Sequence, residues 1–198
     1  MNRDRIVVDA SVVMALVVDE PDSAAIRAGV ARWLEEGAEL VVPDHFWLEL
    51  VNPLGRRHGY DGQRLLEVVR EIDELPVSTI PTSRPQLILA ISLMERFDLT
   101  AYDAVYVALA DTISAPIAST DTALLRAAGP SGLDPRTTDR QPPRRLSEEQ
   151  APYGTTAERD VTWPRWPGAG SYLATLRRRA MADAVVGRSG ESPQRVAR

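Results

Sequence analysis

Apolar runs of only three or four residues, separated by longer stretches of helical periodicity, most narrow what this chain can fold into. Three such runs stand out, residues 5–8 (Arg-Ile-Val-Val), Leu40 to Val42 and Pro116 to Ala118, and Val77 to Ile80 is a further strand candidate. A short apolar run without polar alternation fits a strand covered on both faces, and helices between successive strands supply the cover. The pattern predicts an α/β domain with a parallel sheet.

The intervening helices carry their own start and stop signals. Asp22 or Ser23 offers an N-cap for a helix through Glu36, which Gly37 ends. Asp44 can cap a helix carrying Phe46, Trp47, Leu50, Val51 and Leu54, with Pro53 expected to kink it or shift its start. Asp61 to Leu75 follows, with Leu65, Leu66, Val68, Val69 and Ile72 expected on the inner side. Arg84 to Phe97 is entered through Pro85, Thr100 caps a helix to Ile113, and Asp121 opens a last helix, Thr122 to Ala128, stopped by Gly129. No credible strand is expected in residues 129–135.

Charge divides the chain at about the same place. Residues 1–135 hold 11 arginines against 21 acids, net −10, and residues 136–198 hold 12 against 7, net +5, giving the overall −5. The expectation is a domain over 1–135 and a largely disordered or loosely docked basic, Pro-rich tail over 136–198. Within that tail, Val161 to Trp166 can pack its aromatics and Ser171 to Val186 can form a helix. No signal peptide or membrane segment is read, so a cytoplasmic protein is expected. Zero cysteines and two histidines exclude thiolate sites and disfavour a histidine-built zinc site, so any metal would be held through oxygen.

Acids sit where such chemistry needs them. Asp9 and Asp121 fall at the carboxyl ends of the first and last strands, the edge at which open parallel sheets bind ligands. Glu49 and Asp103 fall inside helices beside inward-pointing apolar residues. Four acids around one crevice repel one another unless a divalent cation neutralises them, and oxygen-only coordination suits Mg²⁺ or Mn²⁺. Taken singly each acid also has an ordinary explanation: Asp103 complements its helix dipole, Asp121 caps a helix and Glu49 is a solvated helix acid. Asp9 is hardest to explain so, lying between Val7-Val8 and Val12-Val13.

Four ordered motifs carry a family resemblance: residues 7–13 (Val-Val-Asp-Ala-Ser-Val-Val), 49–52 (Glu-Leu-Val-Asn), 102–108 (Tyr-Asp-Ala-Val-Tyr-Val-Ala) and 118–121 (Ala-Ser-Thr-Asp). Over residues 5–129 the chain resembles PIN domains, most of all VapC-type toxins. The resemblance implies a three-layer α/β/α sandwich around a short parallel sheet of four or five strands and a metal-dependent endoribonuclease. It also implies frequent homodimers and a cognate antitoxin that blocks the site. Asp9, Glu49 and Asp103 would hold the principal Mg²⁺ or Mn²⁺ and Asp121 would complete the pocket, for in-line hydrolysis of RNA to 5′-phosphate and 3′-hydroxyl ends. Ser11 and Ser119 would position carboxylates or phosphate, and Asn52 would bond Glu49 from one helical turn on.

Several readings stay open. Arg56, Arg57 and Arg64 either contact RNA or are solvated, and Tyr102 and Tyr106 either stack a base or pack. Arg177-Arg178-Arg179 or Arg165 of the tail either inhibits the acidic site in cis or captures RNA; deleting residues 136–198 raises activity in the first case and lowers it in the second. Two alternatives to a toxin are a non-catalytic PIN-fold module binding RNA or protein, and a PIN nuclease of RNA processing.

Overall fold

The computed structural model describes residues 5–137. Strands β1 (Arg5–Val8), β2 (Glu39–Pro43), β3 (Val77–Ile80), β4 (Ile117–Ala118) and β5 (Gly132–Leu133) form one sheet in the order β3-β2-β1-β4-β5, with every pair parallel. Helices α1 (Ala10–Val17), α2 (Ser23–Glu35), α3 (Phe46–Arg56), α4 (Gly62–Asp73), α5 (Arg84–Phe97), α6 (Ala101–Thr112) and α7 (Thr122–Ala128) connect them. The chain steps outward from β1 to β2 and β3, then crosses back to β4 on the far side of β1. Right-handed crossovers in opposite directions place their helices on opposite faces. The packing agrees: α1 meets α2 and α3, and α3 meets α4, whereas α5, α6 and α7 pack on one another. Ile6, Val7 and Val8 are wholly buried between the two layers. The direction reverses between β1 and β4, which opens a crevice at their carboxyl ends.

Some expectations need correction. A strand does follow the last helix: β5 pairs with β4, and Leu133 O accepts the Ser119 N–H at 3.2 Å. It escapes sequence reading because it is two residues long and reached through a 3₁₀ turn at Gly129–Ser131, with Gly129 at φ 56°. Leu66 is 58% exposed, since it lies about 200° around α4 from the buried Val68. Asp44 does not cap α3. Its Oδ1 accepts the Thr82 hydroxyl at 2.8 Å and the His45 N–H at 3.1 Å, which ties the end of β2 to the loop after β3. Pro53 sits within α3, and the helix runs on to Arg56 with the Arg57 N–H bonded to Pro53 O. The tail segments singled out above, including Arg165 and Arg177 to Arg179, lie outside the described residues.

Residues 134–137 fold back over α2. Arg136 binds both oxygens of Asp134 and reaches Asp22 at 3.4 Å, and Arg32 donates to Thr137 O at 3.2 Å. Gly29 permits this, because a Cβ there would collide with the backbone carbonyl of Pro135. Gly29→Ala is therefore expected to cost about 1–3 kcal/mol of stability by overpacking. Gly62→Ala, where an added Cβ meets nothing, should cost less than about 0.5 kcal/mol. Urea unfolding of the two variants beside the parent protein checks both values.

Candidate active site

The crevice is organised around Asp9. β1 delivers this residue to the switch point, where its N–H donates to Ala118 O at 2.9 Å and its residue exposure is only 7%. Carboxylate Oδ2 accepts two hydroxyls, Ser11 Oγ at 2.6 Å and Ser119 Oγ at 2.8 Å. Those hydroxyls in turn accept backbone N–H groups, Thr120 on Ser11 at 3.2 Å and Asp121 on Ser119 at 2.9 Å. One carboxylate oxygen and two hydroxyls thus fasten the ends of β1 and β4 together. Burial pushes the Asp9 pKa upward, the two serine hydroxyls oppose that shift, and the Asp103 charge adds to it.

Glu49 arrives from α3 and Asp103 from α6, each in the first turn of its helix. Asp103 Oδ2 accepts the hydroxyl of Thr100 at 2.7 Å, and the same hydroxyl caps α6 by accepting the Asp103 N–H at 3.2 Å. The Glu49 pKa is also raised, first by burial, then by the charges of Asp9 and Asp103, with a hydrogen bond from Tyr106 opposing. Asp9 therefore senses the charge of Asp103, and Glu49 those of both, across the crevice.

Two neighbours of Glu49 were not foreseen as parts of the site. Tyr106 is wholly buried, and its hydroxyl donates to Glu49 Oε2 at 2.7 Å, so it cannot stack an RNA base. His45 lies edge-on to Tyr106 at 5.0 Å between ring centroids and tilted against Tyr102 at 5.6 Å. Its Nε2 lies 3.6 Å from Glu49 Oε2, and that nitrogen is buried without a hydrogen-bond partner. Burial lowers the His45 pKa, so the ring is neutral near pH 7 and the contact is no ion pair there. A usable sequence signal existed for both: Tyr106 is one turn beyond Asp103 and His45 one turn before Glu49.

The remaining candidates stand further out. Asp121 is exposed, and its Oδ1 caps α7 by accepting the N–H groups of Ala123 (2.6 Å) and Leu124 (3.0 Å). Asn52 is exposed and accepts from Arg56 Nε at 3.1 Å, with no bond to Glu49. Arg64 bonds Glu67 and Glu71 and lies over the Tyr60 ring at 5.7 Å. Tyr102 is 61% exposed. Among the described residues no three acidic or histidine side chains close into a ready-made cation cage. The donor set nevertheless suits a hard divalent cation: it is all oxygen, and at Asp9 and Glu49 burial, with the neighbouring charges, raises the proton affinity.

The PIN domain family model matches residues 6–130. Ribonuclease VapC3 of Mycobacterium tuberculosis, in strains CDC 1551 / Oshkosh and ATCC 25618 / H37Rv, is 32% identical over 127 residues, which cover 63% of this chain and 88% of the relative. Among solved structures, PAE2754 of Pyrobaculum aerophilum aligns at a TM-score of 0.46 and 21% identity, covering 64% of this chain and 87% of that one. The chain belongs to the PIN domain family.

The charge arrangement has a measurable consequence. Because Asp9 and Glu49 bind protons more tightly in the fold than in the unfolded chain, metal-free stability falls as pH rises from their ordinary values of 3.8 and 4.5 through the raised ones. Asp9→Asn keeps an oxygen for both serine hydroxyls and removes the buried charge. Its melting temperature in EDTA at pH 7 is expected to exceed that of the parent protein by about 2–6 °C and to decline less with pH. A lower melting temperature would show that the Asp9 charge is a net stabiliser.

Proposed function

We propose that this protein is a metal-dependent endoribonuclease that hydrolyses RNA phosphodiester bonds as the toxin of a type II toxin–antitoxin pair. The observation that carries the reading is the convergence of Asp9, Glu49 and Asp103, from three separate elements, on the crevice at the carboxyl ends of β1 and β4. Structural economy does not explain three acids gathered beside a packed core, two of them, Asp9 and Glu49, with proton affinities raised by burial and by the neighbouring charges. A chemical role does, and the relative at 32% identity is a ribonuclease by name.

Asp9, Glu49 and Asp103 would hold Mg²⁺ or Mn²⁺, with Asp121 at the rim through its Oδ2. When bound, the ion supplies an activated water and charge neutralisation at the scissile phosphate. Ser11 and Ser119 hold Asp9 Oδ2 and thereby fix the carboxylate's orientation before RNA arrives. The partner half of the reading rests on surface chemistry: α5 exposes Leu87 (47%), Ile88 (60%) and Ile91 (56%) along one stripe, apolar area suited to a second copy or an antitoxin. No helix among the described residues is long and apolar enough to cross a membrane, and a cytoplasmic site of action is part of the proposal.

The decisive experiment is cleavage of labelled total RNA by the full chain in Mg²⁺ or Mn²⁺, beside EDTA, Asp9→Asn and Asp103→Asn. Loss of at least about 100-fold in each control is expected, the scale of removing a principal charge-stabilising group. Cleavage that survives EDTA and both substitutions would overturn the mechanism. A folded, inert parent protein with no divalent affinity would favour the binding-module reading.

A further inference from the structure

We propose that Tyr106 is the positioning residue of Glu49: its buried hydroxyl fixes Oε2 of that carboxylate and leaves Oε1 as the oxygen offered to the cation. The inference rests on the metal-nuclease reading above and concerns how the site is preorganised.

Glu49 has three side-chain torsions to freeze, is only half-buried, and comes from the layer opposite Asp103. Something must hold it. Asn52, one turn further along α3, is taken by Arg56, and His45 Nε2 is 3.6 Å away, beyond hydrogen-bond distance. Tyr106 provides the donor at 2.7 Å, from a ring that is wholly buried in α6 and flanked edge-on by His45. A phenol is a neutral donor at pH 7 by its ordinary chemistry. α6 therefore contributes twice: Asp103 as a carboxylate, and Tyr106, one turn on, as the group that orders the carboxylate arriving from α3.

The test is Mn²⁺ binding to the full chain by calorimetry in a double-mutant cycle of Tyr106→Phe and Glu49→Gln. Tyr106→Phe keeps the ring and should weaken Mn²⁺ about tenfold, the scale of one hydrogen bond to a charged group. In the Glu49→Gln background the same change should alter affinity by less than about twofold, because no carboxylate remains to be held. RNA cleavage by Tyr106→Phe should fall at low Mn²⁺ and recover at saturating Mn²⁺. Unchanged affinity in Tyr106→Phe, or an equal loss in both backgrounds, overturns the inference while leaving the nuclease reading intact. A parent protein that binds no Mn²⁺ overturns both. Should Tyr106→Phe not fold, tyrosine-ring NMR of the otherwise Tyr→Phe protein decides: Mg²⁺ must shift the Tyr106 resonances more when Glu49 is present than in Glu49→Gln, and equal shifts in the two refute the proposal.

Discussion

The buried carboxylate of Asp9, held through one oxygen by two serine hydroxyls, is the interaction on which the rest of the site depends. A charge placed just beyond the buried Ile6-Val7-Val8 run of the central strand is costly to desolvate, and only a dense set of hydrogen bonds makes the position tenable. Here those bonds do more than satisfy the charge. Because Ser11 belongs to α1 and Ser119 follows β4, the same oxygen joins the two chain segments whose divergence creates the crevice. The backbone N–H groups of Thr120 and Asp121 complete the network, so the loop leading into α7 takes its shape from Asp9 as well.

Much of this was legible in the sequence for a physical reason. Residues 84–97 announce a helix through Pro85 in the first turn, a local signal to which the structure adds a reciprocal cap of Ser83 and Gln86. Thr100 and Asp121 likewise mark the starts of α6 and α7 through hydrogen bonds spanning two or three residues. Asp9 was conspicuous because an acid amid valines has no solvated side. What escaped is long-range. β5 exists only because β4 lies beside it, and two residues carry no periodicity. Whether Tyr106 faces solvent or Glu49 depends on the approach of α3 across the sheet edge, 57 residues away in sequence. Asp44 looked like a cap, and its partner turned out to be Thr82 from a distant loop.

The two layers contribute unequally. α3 and its N-cap residue bring Glu49 and His45 from one side of the sheet, while α6 brings Asp103 and Tyr106 from the other, and the Tyr106–Glu49 hydrogen bond bridges them. Such a bridge makes the crevice width a property of packing between layers, since neither helix alone sets it. The wholly buried Phe46, Leu50 and Leu54 on α3 and Ala104, Tyr106 and Ala108 on α6 give that packing its rigidity. Precise carboxylate placement is thus inherited from apolar contacts that never touch substrate.

The Thr100 hydroxyl both caps α6 and binds the Asp103 carboxylate, so the helix start and the acid share a single anchor. Fraying of the first turn of α6 would release Asp103 in the same event, and the site would open and close with that turn as one cooperative unit. In amide-exchange terms, the protection of residues 103 and 104 becomes a direct readout of how often the crevice is whole.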